Sequence, residues 1–317
     1  MDYTQRSRQE LIALCKERGL KGYSGASKAA LVEMLSAVAA TVTATTQQTG
    51  KNKSPLRYPG GKTRAIAILE RYCKEHYPGR TMLLSPFFGG GSFELHMQSK
   101  GFGVCANDLF SPLYTFWSVL QTNPEGLAAR IQSKMPVTKA AFLNMRATVL
   151  TEEDPLEKAA LYFCINRCSF SGATLSGGFS QQAADGRLTA ASLGVMKACK
   201  LQGIQFTGVD CLAFLERHPE TDKTLVFADP PYYISTYIYG KDGDMHESFN
   251  HAAFAAAIQK RRDWILTYND CPYIRELYKG CRIFQESWSY GMNATKKSSE
   301  IIILPPIAGS VAVAAEN

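Results

Sequence analysis

Four consecutive residues, Asp229-Pro230-Pro231-Tyr232, close the apolar run Thr224-Leu225-Val226-Phe227-Ala228. A carboxylate, two prolines and an aromatic ring at the mouth of a buried strand make a compact holder for a flat ring that bears an amino group. The carboxylate and the main-chain carbonyl of Pro230 can each accept a hydrogen bond from an exocyclic NH2. Tyr232 can stack on the ring, and the prolines stiffen the turn that places these groups. The competing reading is an ordinary Pro-Pro turn after a strand.

Three further groups could serve a second ligand. Pro86-Phe87-Phe88-Gly89-Gly90-Gly91-Ser92 is a glycine turn between a strand and a helix that starts near Ser92, and glycines let a ligand approach the backbone. The spacing breaks the GxGxxG dinucleotide fingerprint after Gly91. Asp108 follows the next strand, where a carboxylate can accept both hydroxyls of a ribose; a helix N-cap is the alternative. Leu56-Arg57-Tyr58-Pro59-Gly60-Gly61-Lys62-Thr63 resembles a phosphate loop, but Leu56 stands where the Walker pattern needs glycine, which excludes that ATPase reading. Lys62 is then placed to meet a ligand carboxylate at a helix start.

The elements that must position these residues are short apolar strands alternating with helical segments. The strands are expected at Met82-Leu83-Leu84-Ser85, Phe102 to Ala106, Ile204 to Val209, Leu225 to Ala228, Trp264 to Thr267 and Ile301 to Leu304. That alternation indicates a doubly wound α/β sheet, in which ligands bind at the carboxyl ends of the strands. Asp108, Asp210, Asp229 and the glycine turn all fall at such ends.

Before this domain the sequence predicts a helical hairpin over residues 1–38. Ser7 and Glu10 fit a capping box, and Leu11, Leu14 and Cys15 share one face. Gly19 is a helix stop, Ser27 a second N-cap, and Leu31, Met34, Leu35 and Val38 a second face. Residues 39–53, rich in Ala, Thr and Gln, read as a flexible linker, and residues 305–317 as a loosely ordered tail.

Hydrophobic residues at 45% and charged residues at 20% are ordinary for a soluble globular chain. No apolar run is long enough to span a membrane, and the first residues lack the apolar segment of a signal peptide. Nine scattered cysteines without a CxxC pair point to a reducing intracellular compartment and no structural metal. The formal charge of +7 favours a polyanionic partner without proving one.

The ordered motifs RYPGGK, PFFGGGSF, NDLF and DPPY resemble the D12 class, Dam-type family of DNA adenine N6-methyltransferases across most of Ser54 to Leu304. The hairpin, through Glu10-Leu11, Cys15-Lys16, Gly19-Leu20, Gly25, Lys28, Leu31 and Leu35, resembles the SAP family of DNA-binding hairpins, with a slightly longer turn. The resemblance implies a Rossmann-like methyltransferase domain over 54–110 and 203–304, with a mainly helical target-recognition insert over 111–202. It implies S-adenosylmethionine as methyl donor, no metal, and duplex DNA with a flipped-out adenine as substrate. Tyr58, Lys62, Phe87, Gly89, Gly91, Asp108, Asp210 and Asp229 would bind the donor; Asp229, Pro230, Pro231 and Tyr232 would hold the target base. Asn166, Arg167, Arg187 and Lys28 would contact DNA. Three departures stand out: Ser85 precedes Pro86 where the family has an acid, Cys211 follows Asp210 where it has an aromatic, and Tyr58 replaces a common tryptophan. Physics alone accepts an adenine or a cytosine amino group, in DNA or RNA, or a DNA-binding chain without catalysis. The absence of any Pro-Cys dipeptide argues against cytosine C5 chemistry through a cysteine. Nothing in the sequence dictates an oligomeric state.

Overall fold

Leu83 and Leu84, Val226 and Phe227, and Ile265 and Leu266 are adjacent residues, all buried, that divide between two separate apolar clusters. Successive strand residues point to opposite faces, so a strand apolar at every position requires a sheet covered on both sides. The computed structural model describes residues 7–17, 25–32, 52–233, 249–289 and 297–307, and they divide into two compact units, Met1–Gln48 and Thr49–Asn317.

In the first unit, helix α1 (Arg8–Glu17) begins with the expected capping box: Ser7 N donates to Glu10 Oε2 at 2.8 Å, and Glu10 N donates to Ser7 Oγ at 3.4 Å. Ser27 Oγ accepts from Ala30 N at 3.2 Å at the start of the helical segment 28–32. Leu11, Cys15 and Leu31 are fully buried together. Gly19, Met34, Leu35, Val38, linker residues 39–51, the tyrosine-containing segment 234–248 and residues 308–317 lie outside the described residues.

The second unit is built on a seven-stranded sheet of order β3-β2-β1-β4-β5-β7-β6. Strands β1 (Met82–Ser85), β2 (Gly103–Asn107), β3 (Ile204–Thr207), β4 (Thr224–Ala228) and β5 (Trp264–Asn269) are parallel. Strand β7 (Lys297–Leu304) runs antiparallel to β5 and to the edge strand β6 (Arg282–Ser289). All six expected strands are present. The sequence reading misses β6, whose run Arg282-Ile283-Phe284-Gln285-Glu286 is too polar to stand out as a buried strand, and it shortens β7, whose first half is polar.

One face carries helices α2 (Ile66–His76) and α3 (Ser92–Ser99) and a helical group: α4 (Ser111–Thr122), α5 (Pro124–Gln132), α6 (Lys139–Thr148), α7 (Pro155–Cys168), α8 (Gln181–Arg187) and α9 (Ala190–Lys197). The other carries α10 (Cys211–Arg217), α11 (His251–Ile258) and α12 (Pro272–Leu277). The segment 111–202 is accordingly helical, but α4 is part of the sheet's own cover. Trp117 lies parallel to Phe206 at 6.1 Å, meets Phe88 edge-on at 5.2 Å and donates to the Gly89 carbonyl at 3.0 Å. Among the described residues no helix is long and apolar enough to cross a membrane.

Candidate active site

The carboxyl ends of β1, β2 and β4 open into one cavity of about 430 Å3, lined by Tyr58, Lys62, Phe87, the three glycines of the turn, Glu94, Asp108, Asp210, and Asp229 to Tyr232. The order reverses at β1, since β2 and β4 flank it. An open α/β sheet forms its ligand crevice at such a switch point.

The glycine turn is needed first for protein packing. Gly89 and Gly91 have φ of 50° and 64°, a region that disfavours side chains. A Cβ on Gly90 would stand 2.7 Å from Tyr58 Cβ, and one on Gly91 would collide with the Phe88 ring. What approaches the glycines within the protein is Tyr58 and Phe88, a packing requirement beside the ligand approach expected from the sequence. Phe87 lines the cavity with its ring 5.1 Å from Phe254 and 5.4 Å from Phe249.

Asp108 accepts Gly89 N at 2.9 Å and Phe110 N at 3.0 Å. Its carboxyl thus locks the turn after β1 to the end of β2. Burial pushes its pKa up to about 6 against the opposing pull of those two amides. Each oxygen keeps a lone pair for a ligand hydroxyl. Asn107, buried beside it, donates to the carbonyls of Pro86 and Val209 and accepts from Val209 N and Thr207 Oγ1. Asp210 caps α10 through Leu212 N at 2.8 Å and stays exposed on the cavity wall.

At β4 the Asp229 carboxylate is held from both sides. Oδ2 accepts from Lys62 Nζ at 2.7 Å and Oδ1 from Thr267 Oγ1 at 2.6 Å. Lys62 is 4% exposed, and its ammonium also donates to the Gly60 carbonyl and the Tyr232 hydroxyl, each at 2.9 Å. Its charge is engaged by Asp229 and Tyr232, where the sequence reading expects a ligand carboxylate. Behind it stands Glu300 of β7, 3.8 Å away and buried, whose pKa burial raises to about 7 against the opposing pull of Lys62 and Tyr232. Among the described residues none donates to the Pro230 carbonyl, leaving it an acceptor beside Asp229. Outside the Tyr232 ring, Tyr233 is 45% exposed and stacks on Tyr273 at 4.4 Å.

Two residues expected to contact DNA do something else. Asn166 is fully buried; its Oδ1 accepts Arg57 N at 3.0 Å and its Nδ2 donates to Arg57 O at 2.6 Å. Arg167 donates from Nε to Arg187 O at 2.8 Å and from an η nitrogen to Pro55 O at 3.2 Å. Asn166 faces inward on a helix that is buried almost all round, while Arg167 is half-buried; together they hold the segment leading to Tyr58 and Lys62. Gly172 seats the next turn on the same segment: at φ 75°, a Cβ there would stand 2.6 Å from Arg57 O. Arg187 is half-exposed at the end of α8 and does not line the cavity; Lys28 is exposed in the first unit.

Sequence reasoning missed Glu94, Thr267, Glu300 and the role of Asn107. A signal existed for two of them. Glu94 directly follows the glycine motif, and Glu300 is an acid directly before Ile301-Ile302-Ile303, where a buried carboxylate implies a nearby cation.

The strand order, with its antiparallel β7 inserted beside β5, together with a cavity at the switch point, is that of a Rossmann-like methyltransferase. The family model of the D12 class N6 adenine-specific DNA methyltransferases matches residues 58–292, and the chain belongs to that family. It is 27% identical over 125 residues to the DNA adenine methylase of Salmonella typhi and, to the same extent, to that of Salmonella typhimurium, covering 38% of this chain. The chain spans about 43% of the length of the curated relatives it matches.

Asn166→Ala would strip both partners from the Arg57 backbone. The expected result is a loss of about 1–3 kcal/mol in stability, read by urea denaturation. A weaker grip on DNA with stability unchanged would instead restore the DNA-contact reading.

Proposed function

We propose that this chain transfers a methyl group from S-adenosylmethionine to the N6 amino group of an adenine in duplex DNA, with the base turned out of the helix. The observation that carries this is the Asp229 carboxylate, pinned by Lys62 and Thr267 next to the Pro230 carbonyl, to which no described residue donates, at one end of the cavity. Family membership and the likeness to the Salmonella methylases support it.

The cavity suits the donor. About 430 Å3 is within the range of a cofactor pocket. Asp108 offers lone pairs for ribose hydroxyls, Asp210 an exposed carboxylate for the donor's adenine amino group, and Phe87 with the glycine turn a wall for the methionine part. S-adenosylmethionine supplies an activated methyl group when bound.

An adenine amino nitrogen is a poor nucleophile because its lone pair is delocalised into the ring. Asp229 and the Pro230 carbonyl, each accepting one of its hydrogens, favour a pyramidal nitrogen with a localised lone pair. Lys62 and Thr267 fix the carboxylate in advance, so little reorganisation remains at the moment of reaction. Tyr232, tethered by its hydroxyl to Lys62, offers a ring for the base to stack on. The nitrogen gains the methyl as the sulfonium–methyl bond breaks to leave a thioether, and it gives up one proton, for which the adjacent Asp229 carboxylate is the path to solvent; no covalent link to the protein forms. A base stacked inside a duplex cannot reach this site, which is why it must flip.

The N-terminal unit is the proposed DNA tether, with Lys28 on its exposed surface, and Arg187 is a generic phosphate contact. Sequence choice belongs to the helical segment 111–202.

The reaction is tested by transfer of labelled methyl to unmodified duplex DNA, with RNA in parallel, followed by nucleoside analysis. Label is expected as N6-methyladenine in DNA. Asp229→Ala should lower it by at least about a hundredfold while leaving DNA affinity largely intact; undiminished transfer would refute the role given to Asp229. Removing residues 1–48 should weaken DNA binding and flatten its salt dependence. An unchanged salt slope would make the first unit a packing element.

A further inference from the structure

The cavity wall holds four carboxyls, those of Glu94, Asp108, Asp210 and Asp229, and a single basic side chain among the described residues, Lys62. Three of the four have a place in the reading above. Glu94 does not. It stands in the first turn of α3 and is 3% exposed. Its Oε1 accepts from Ser85 Oγ, itself fully buried, at 2.7 Å. Among the described residues none forms an ion pair with it. Ser85 is also the position at which the chain departs from the acid its motif resemblance calls for.

We infer that Glu94 is a donor-binding residue: its carboxylate, presented by Ser85, meets a positively charged group of S-adenosylmethionine, and it releases its own proton when that cation arrives. This rests on the donor-site reading above. A buried carboxyl with only a hydroxyl as side-chain partner is costly to leave charged in an empty cavity. Burial accordingly raises its pKa to about 8, with Asp229 pushing the same way and Ser85 and Lys62 opposing. The charged groups facing it are thus Lys62 and Asp229, with Glu300 behind Lys62 and Asp108 across the cavity. An entering cation supplies the missing counter-charge and lowers that pKa. Proton release and donor binding are then linked, and donor affinity rises with pH until Glu94 is ionised in the free protein as well.

The sign for folding runs the other way. A carboxyl whose folded pKa exceeds its unfolded value favours the folded state at low pH, and that contribution is lost as pH rises towards about 8. Glu94→Gln is uncharged throughout, so its melting temperature at about pH 8.5 should equal or exceed that of the unaltered protein.

The test is calorimetric titration of the full chain with S-adenosylmethionine at about pH 6 and about pH 8.5, in buffers of different ionisation heat, so that affinity and proton release are read together. The unaltered protein should release protons on binding. Glu94→Gln should weaken binding about tenfold at the higher pH but less than about twofold at the lower, and should remove a fraction of a proton, at most about half, from the release. Asp108 and Glu300 also titrate in this window, and the difference between the two proteins cancels them. Ser85→Ala should move the pH profile upward, because it removes a hydrogen bond to the charged form. The thioether product S-adenosylhomocysteine separates two versions of the contact. A loss confined to the donor assigns the sulfonium, and an equal loss on both assigns the ammonium. Equal affinity and equal proton release in Glu94→Gln would overturn the inference. If the unaltered protein bound no donor at any pH, the donor-site reading itself would fall with it.

Discussion

One buried ammonium organises this molecule's working end. Lys62 reaches from the turn before α2 to the end of β4, touching Asp229, Tyr232 and the Gly60 carbonyl, with Glu300 of β7 behind it. Burying an ion pair is expensive, and breaking it by removing one partner is worse. Such a pair is therefore poor value as stability alone. Its return is geometric: Asp229, the proposed acceptor for the substrate amino group, and Tyr232, the proposed stacking ring, are set by the same cation. Glu300 adds little to that cost, because burial raises its pKa to about 7 and its charge is only partly present near neutrality.

That arrangement requires the segment carrying Lys62 to be fixed from elsewhere, since Leu56 to Lys62 is neither a strand nor a long helix. The helical segment 111–202 supplies the fixing. Asn166 pairs with both backbone groups of Arg57, Arg167 holds Pro55, and Gly172 lets the following turn close against Arg57. On the sheet side Trp117 of α4 props the glycine turn through the Gly89 carbonyl, and Asp108 ties the same turn to β2. The region read as a recognition insert is thus also the scaffold of the cavity at the switch point. Changes in it are expected to act on chemistry as well as on sequence choice.

Much of this was legible in the chain. Strands such as Thr224 to Ala228 announce themselves as short apolar runs, and acids at their carboxyl ends follow from the doubly wound topology. Spacing alone placed Asp108, Asp210 and Asp229 at one edge, and the structure brings them around one cavity. The misses have physical causes. Asn166 and Arg167 carry side chains that bind nucleic acid when exposed, and sequence says little about which way they face on a helix as uniformly apolar as Pro155 to Cys168. Lys62 was read against a ligand because its partners, Asp229 and Glu300, lie far along the chain. Edge strand β6 shows too little apolar character to be distinguished from a loop.

The central claim is that Lys62 serves the acceptor carboxylate and not the donor. It is tested most directly on Lys62→Met by measuring donor affinity and the single-turnover rate of methyl transfer at saturating donor in the same preparation. The account predicts that the rate falls by about a hundredfold or more while affinity changes less than about tenfold. A rate preserved at saturation, with affinity lost by the larger factor, would contradict it and return Lys62 to the donor's carboxylate.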